Sequence, residues 1–229
     1  MTASKITWQR VAGEALLIVA SVFVAIALES MWQERQQAAE ARAALAQMLD
    51  ELKQDQTDLR YAIRRQAEID GTYTKVRGWL ADVGTVPAQE FQGAIDNLAF
   101  DNATLFVRTS AWTTMVESGY LPLLRDELLI SRMADLYENQ GVRLAWNNDS
   151  YDRELWKVVR DTSTRVWDFE NQRFLSADPE ALQTLRGQIR YLHLIWNRWY
   201  QEFLKRYGET QATLISEIEA YLRRYGYEV

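Results

Sequence analysis

Residues 13–32 read GEALLIVASVFVAIALESMW, and the fourteen positions between Glu14 and Glu29 carry no charge. A run this long and this apolar has to be kept from water, so it constrains the chain more than any other segment. Fourteen residues are short for a bilayer, but Val11 to Leu28 makes eighteen. At 1.5 Å per residue that is roughly 27 Å of helix, close to the hydrocarbon thickness of a membrane. Trp8 and Trp32 bracket the run, about 36 Å apart on a helix, where aromatic belts sit. Glu14 then falls within a turn of the headgroup boundary, where a carboxylate reaches water or headgroups at modest cost. Two rival readings are weaker. A cleaved export signal would start from Lys5 and Arg10 and end at Ala25 and Ala27, but Glu14 interrupts its basic-to-apolar transition. A buried core helix would need similarly all-round apolar helices beside it, and none follows. The sequence is read as a basic tail at residues 1–10, a transmembrane anchor at residues 11–32 and a helical domain at residues 33–229.

The tail carries Lys5 and Arg10 with no acid, whereas Arg35 and Arg42 beyond the span are mixed with Glu29, Glu34 and Glu40. Basic residues near a span set its orientation. A short basic tail before one span favours a cytoplasmic N-terminus and a domain on the far side of the membrane.

Three prolines and ten glycines in 229 residues leave room for long uninterrupted elements, and no strand is evident. From Gln33 to Asp70 neither residue occurs, so a single long helix is expected with Gly71 as its stop. Met31, Ala38, Leu45, Leu49, Leu52, Leu59 and Ile63 follow one frame of three-and-four spacing, shared with Arg35, Arg42, Gln56 and Gln66. That frame fits a self-associating coiled-coil seam, but its polar members favour packing against helices of the same domain. A short helical piece follows over residues 72–80, ended by a turn from Gly84 to Pro87. Pro87 opens another helix with Phe91, Ile95, Leu98 and Ala99 on one face, closed by Asp101 and Asn102.

Thr109 to Gln140 reads TSAWTTMVESGYLPLLRDELLISRMADLYENQ. Ser110 is placed as the cap of a helix through Glu117, ended by a left-handed turn at Ser118-Gly119. Pro122 keeps the next linker from being helical, and Asp126 caps a second helix with Leu128, Leu129, Met133, Leu136 and Tyr137. The early Gly13-Glu14 and apolar run, its exit Trp32-Gln33-Glu34-Arg35, and this AW..M..SGYL corner together resemble a bacterial family of single-pass membrane proteins known only as a domain of unknown function. Glu117 stands where that family usually has a serine, and Leu136-Tyr137 replaces its aromatic pair. The closing TLISEIEAYL is similar to the family's last helix. The resemblance implies this topology and a bacterial inner membrane with the helical domain in the periplasm, and it implies no activity.

Residues 138–166 stay helical, with Val142, Leu144, Tyr151, Leu155, Val158 and Val159 apolar and a patch NNDSYDRE, Asn147 to Glu154, read as solvated. Asp178 and Pro179 start the next helix. Leu182, Leu185, Ile189, Leu192, Trp196, Tyr200, Phe203 and Tyr207 trace its stripe, Gly208 breaks or softens it, and Leu214, Ile218, Tyr221 and Leu222 resume it. The fold class is all-α: one N-terminal transmembrane helix continuing into a bundle of long helices.

Catalytic chemistry finds no constellation. There is no cysteine, and His193 is the only histidine, which leaves no spare Ser–His machinery and no zinc or di-iron spacing. It is read as a polar group beside the aromatic stripe, and no catalytic residue, metal or cofactor is assigned. A net charge of −6 gives no footprint for nucleic acid. The cluster Ile195 to Phe203, with Trp196, Trp199, Tyr200 and Phe203 at its centre and Trp146, Trp156 and Trp167 from elsewhere, would form an aromatic pocket for a cation or a sugar, against core filling as the plainer role. Glu14 fixes depth or pairs with a partner, or else lines a pore, and the small residues Ser21 and Ala25 allow close helix approach. The functional expectation is a non-enzymatic, membrane-anchored interaction protein, a structural or accessory subunit. Its partners would be membrane lipid and either itself or other membrane-protein subunits. A ligand-binding sensor is the alternative, and an oligomeric channel using Glu14 comes third.

Overall fold

The computed structural model describes residues 8–82, 86–100, 103–175 and 178–229. The tail with Lys5, the turn residue Gly84, and Asp101 and Asn102 lie outside the described residues, as do the side chains of Trp8, Arg10 and Val159.

Helix α1 runs unbroken over Trp8–Trp79, 72 residues, or about 108 Å. Gly71 does not stop it, and the separate piece expected over residues 72–80 is its last two turns. A mid-helix glycine costs about 1 kcal/mol. Continuing the helix buries Tyr73, Val76 and Leu80 beyond Ile69, which outweighs that cost. The seam frame also resolves into intramolecular packing: Leu45, Leu49, Leu52 and Leu59 are buried in the domain's own core.

Around the distal part of α1 sit α2 (Ala88–Phe100) and α3 (Ser110–Glu117), both packed on it. Phe91, Ile95, Leu98 and Ala99 form the buried face of α2, as their spacing requires. Gly119 takes the left-handed conformation after α3 (φ 67°), which glycine adopts without steric cost. Pro122 does not prevent helix: Leu121–Leu124 is one 3-10 turn with the proline at its start, where a missing N–H costs nothing.

Two further rods complete the bundle. The first joins α4 (Glu127–Ala134), a π-turn (Asp135–Gly141), α5 (Val142–Lys157), a second π-turn (Val158–Ser163) and α6 (Thr164–Val166). Asp126 caps it, accepting from Leu129 N at 3.1 Å. Leu128 and Val142, counted with its apolar face, are exposed instead. The second rod joins α7 (Pro179–Tyr191), a third π-turn (Leu192–Asn197) and α8 (Arg198–Arg224). Asp178 caps it through Glu180 N and Ala181 N, at 3.1 and 3.2 Å. Gly208 does not break α8. A Cβ there would lie 2.8 Å from Leu59 Cδ2, so the glycine lets α8 and α1 approach closely.

Between the rods, β1 (Trp167–Asp168) pairs antiparallel with β2 (Arg173–Phe174). No strand was expected, and a two-residue ladder carries no alternation to detect. Its purpose is packing: Trp167 and Phe174 meet each other at 4.8 Å and Phe91 at 4.8 and 4.9 Å. Arg186 of α7 donates from Nε to Leu80 O, and from Nη2 to Ala81 O at 3.2 Å. The carbonyls left open at the end of α1 are thus satisfied from another helix.

Candidate functional site

The apolar part of α1 projects from the bundle. It is long and apolar enough to cross a membrane, with a mean hydropathy of 1.9 over a window of which 0% is buried. That exposure removes the core-helix reading. Trp32 is exposed at its end, Glu14 is exposed near its start, and Ser21 and Ala25 are exposed between. Glu14, Ser21 and Ala25 share a helical face by their spacing of seven and four. The Ser21 hydroxyl donates to Leu17 O, which satisfies it inside its own helix.

Within the bundle, polar side chains of α1 are buried in layers that tie it to the other elements. Nearest the apolar end, Glu51 accepts from Ala111 N at 3.1 and 3.2 Å and from the Ser110 hydroxyl. Ser110 is therefore the first residue of α3 and not its cap. A carboxylate from α1 takes that place, favourably set at a helix N-terminus. One turn on, Asp55 accepts from Arg108 N at 3.0 Å and pairs with the Arg108 guanidinium, which also meets Asp58 at 2.9 Å. Burial pushes the Asp55 carboxyl above its ordinary range, and the Arg108 bonds oppose that shift without cancelling it.

The middle layer is a closed set of amides. Gln66 Nε2 donates to Ala103 O at 2.8 Å, Asn197 Nδ2 to Gln66 Oε1 at 2.9 Å, and Gln201 Nε2 to Asn197 Oδ1 at 2.8 Å. The next layer holds His193, 1% exposed. Its Nε2 lies 2.8 Å from Asp70 Oδ1, its Nδ1 lies 3.1 Å from Arg77 Nη1, and its ring stacks on Tyr73 at 5.2 Å. A guanidinium can only donate, so Nδ1 is the acceptor and Nε2 carries the proton toward Asp70. A carboxylate orienting a histidine is half of a triad, but here the other nitrogen is taken by Arg77.

Tyr200 is wholly buried, and it corrects the expected pocket. Its hydroxyl donates to Asn148 Oδ1 at 2.6 Å and accepts from Leu105 N at 3.0 Å, while Asn148 donates to Leu105 O. The residue belongs to the core and fastens residues 103–108 to α5 and α8. Asn147, Asn148 and Tyr151 are buried as well, so only part of the NNDSYDRE patch is solvated. Tyr151 stacks on Trp196 at 6.2 Å, and burial raises its phenol to about 12.

The remaining pocket residues form an outward run, Trp196 to Trp199 at 6.2 Å and Trp199 to Phe203 at 5.6 Å. They join Trp146 of α5, one of the three outlying tryptophans named with them from the sequence, whereas Trp167 packs against Phe91 and Phe174 instead. Trp146, Asn147, Leu194, Ile195, Trp196 and Trp199 line an open concavity of about 420 Å³. Trp146 is 62% exposed, Ile195 54% and Trp199 42%. Two buried donors of these lining residues, Asn147 Nδ2 and Trp196 Nε1, have no hydrogen-bond partner among the described residues. Among the described residues, no three His, Cys, Asp or Glu side chains converge as metal ligands.

The apolar run from Glu14 onward, the SGYL corner and the α5 rod fall within one matched segment, residues 14–175, of a family of unknown function (DUF6090). The chain belongs to that family. The DUF6090 match takes in Trp146, Asn147 and Asn148, whereas the third π-turn and α8 lie beyond it. No curated protein and no solved structure matches the chain.

Proposed function

We propose that the chain is a non-enzymatic, membrane-anchored interaction protein, a structural or accessory subunit of a homo-oligomer or a larger membrane complex. Residues 11–32 anchor it in a bacterial inner membrane, the tail lies in the cytoplasm, and the bundle stands in the periplasm. The observation that carries this reading is the aromatic face of Trp146, Ile195 and Trp199. Large apolar side chains gathered on one exposed face are the usual signature of an interaction site. The continuous α1 supports it further, because one helix passes from the span into the core and holds that face at a fixed height above the membrane.

The test is the mass of the particle extracted in mild detergent from its own membrane, with every co-purifying chain identified. Other chains in fixed ratio, lost from a Trp146→Ser/Trp199→Ser variant, are the expected result. A discrete self-assembly alone would leave the homo-oligomer and remove the accessory subunit, and a bare monomer would remove both. The orientation is tested separately. The chain has no cysteine, so a single cysteine at an exposed position such as Arg173 reports its compartment cleanly, and labelling from the cytoplasmic side would reverse the topology.

A second reading, a ligand-binding sensor signalling through a partner, draws on the two unpartnered donors. Buried N–H groups call for an acceptor, so the ligand would be a flat apolar molecule bearing an acceptor oxygen. The cation expected from the aromatic residues alone is disfavoured by those donors. Quenching of tryptophan fluorescence by such compounds in the full chain, abolished by Trp199→Ala, would support it; a response to cations alone would exclude it.

A further inference from the structure

Just beyond the apolar run, α1 carries a stripe that the bundle leaves open. Met31, Arg35, Ala38 and Arg42 succeed one another at spacings of four, three and four, so they share one face. From Leu45 onward the apolar members of the same frame pack in the core. Before Leu45 it forms one wall of a cleft of about 320 Å³, whose other wall is Leu123 of the 3-10 turn, Arg125 just past it and Tyr225 just past α8, with Glu34 at its edge. Three guanidinium groups against one carboxylate leave two positive charges in excess.

Other arginines toward this end of the bundle are paired: Arg224 with Asp126 at 3.4 Å, Arg223 with Glu219 at 3.0 Å, and Arg132 with Glu217. Arg35, Arg42 and Arg125 have no such partner among the described residues, although Arg42 lies over the Tyr225 ring at 4.8 Å. Arg125 is also held in the left-handed region at φ 55°, where a glycine or asparagine would be less strained. The chain accepts that strain and places a third guanidinium at the cleft.

The position decides the ligand. Arg35 is seven residues past Leu28, roughly 10 Å along the helix, and helical side chains lean back toward the N-terminus, which here is toward the span. Arg35 therefore reaches the headgroup zone, with Arg42 and Arg125 lining the cleft above it. A guanidinium presents a planar fork of donors that matches phosphate oxygens. Met31, Ala38 and Leu123 offer apolar surface on the same walls, and Ala38 leaves room between the arginines.

We propose that this cleft binds the phosphate of an anionic phospholipid from the adjoining leaflet, with the apolar wall against its glycerol and upper acyl chain. A free phosphate would satisfy the guanidinium groups but leave that wall bare. The proposal rests on the membrane-anchor reading and adds to it a lipid-selective site. It also accounts for two of the polar residues that set the frame apart from a coiled-coil seam.

The test uses the full chain in nanodiscs of phosphatidylcholine containing a minor share of phosphatidylglycerol, with retained lipids weighed by native mass spectrometry. The wild type is expected to retain phosphatidylglycerol preferentially, and replacing Arg35, Arg42 and Arg125 by Gln is expected to weaken that retention roughly fivefold per arginine. An Arg173→Gln control, on the hairpin, should keep it, and circular dichroism verifies that the triple variant is folded. No preference in the wild type, or an unchanged preference in the folded triple variant, would overturn the proposal. Displacement of the lipid by inorganic phosphate would overturn it in favour of a free anion. Failure of the wild type to enter the discs at all would instead strike the anchor reading itself, and the lipid site with it.

Discussion

The two parts of α1 belong to one helix and obey opposite rules. Residues 16–28 are apolar on every side and exposed, with Leu16 at 73%. Residues 41–80 are less hydrophobic, and yet Leu45, Met48 and Leu52 are completely buried. Hydrophobicity alone would bury the first part and expose the second. What matters is pattern: a stripe leaves a polar face for water and can dock against other helices, whereas an all-round apolar cylinder needs an apolar medium on all sides. Even the polar residues reverse. Glu51, Asp55 and Gln66 are buried in the second part because neighbouring elements satisfy them, while Glu14, just before the first part, is exposed.

The sharpest way to break this comparison is a pair of truncations. Leu52→Ala should destabilise the bundle by about 2–5 kcal/mol through a cavity, and Val24→Ala should leave the thermal midpoint of the bundle unchanged. An equal loss from both, measured by circular dichroism in detergent, would mean that the apolar part packs on the bundle after all. The converse substitution is Val22→Arg, where a charge near the middle of a span costs about 2.5–3.5 kcal/mol of insertion. It should move the protein from the membrane to the soluble fraction, and continued membrane retention would contradict the anchor.

A smaller effect tests the polar layers. Tyr200→Phe leaves Leu105 N and Asn148 Oδ1 without their partner, at a cost of about 1–3 kcal/mol, read as a lowered melting temperature. The smallest is a pH effect at Asp55. Its carboxyl is raised above 3.8 in the folded chain, so the folded state holds that proton more tightly than the unfolded state. Wild-type stability relative to Asp55→Asn should therefore rise as pH falls through the folded value toward 3.8, and stay flat above it. A relative loss on acidification would show that the Arg108 pairing outweighs burial.

Much of the architecture was readable in advance because its signals are local. Asp126 and Asp178 cap their helices as their neighbours require, Gly119 makes its turn, and Phe91, Ile95 and Leu98 face inward. The misreadings share a cause. Gly71 signals a stop and Ser110 a cap because each is common there locally, but buried Tyr73 and Val76 carry the helix on and Glu51 supplies the cap from another helix. The candidate site was legible by halves. The run Trp196, Trp199 and Phe203 follows from spacing, whereas only packing decides that Trp146 joins it, that Trp167 does not, and that Tyr200 leaves it for a core hydrogen bond.

By itself the sequence determined the uncharged run, the helical fold class and the caps, since these depend on residues within a few positions of one another. Only the tertiary structure decided where α1 ends, which polar residues are buried, and which arginines beside the run have no ion-pair partner among the described residues. Each of those depends on groups dozens of residues away, brought near by a bundle whose contacts no local pattern encodes.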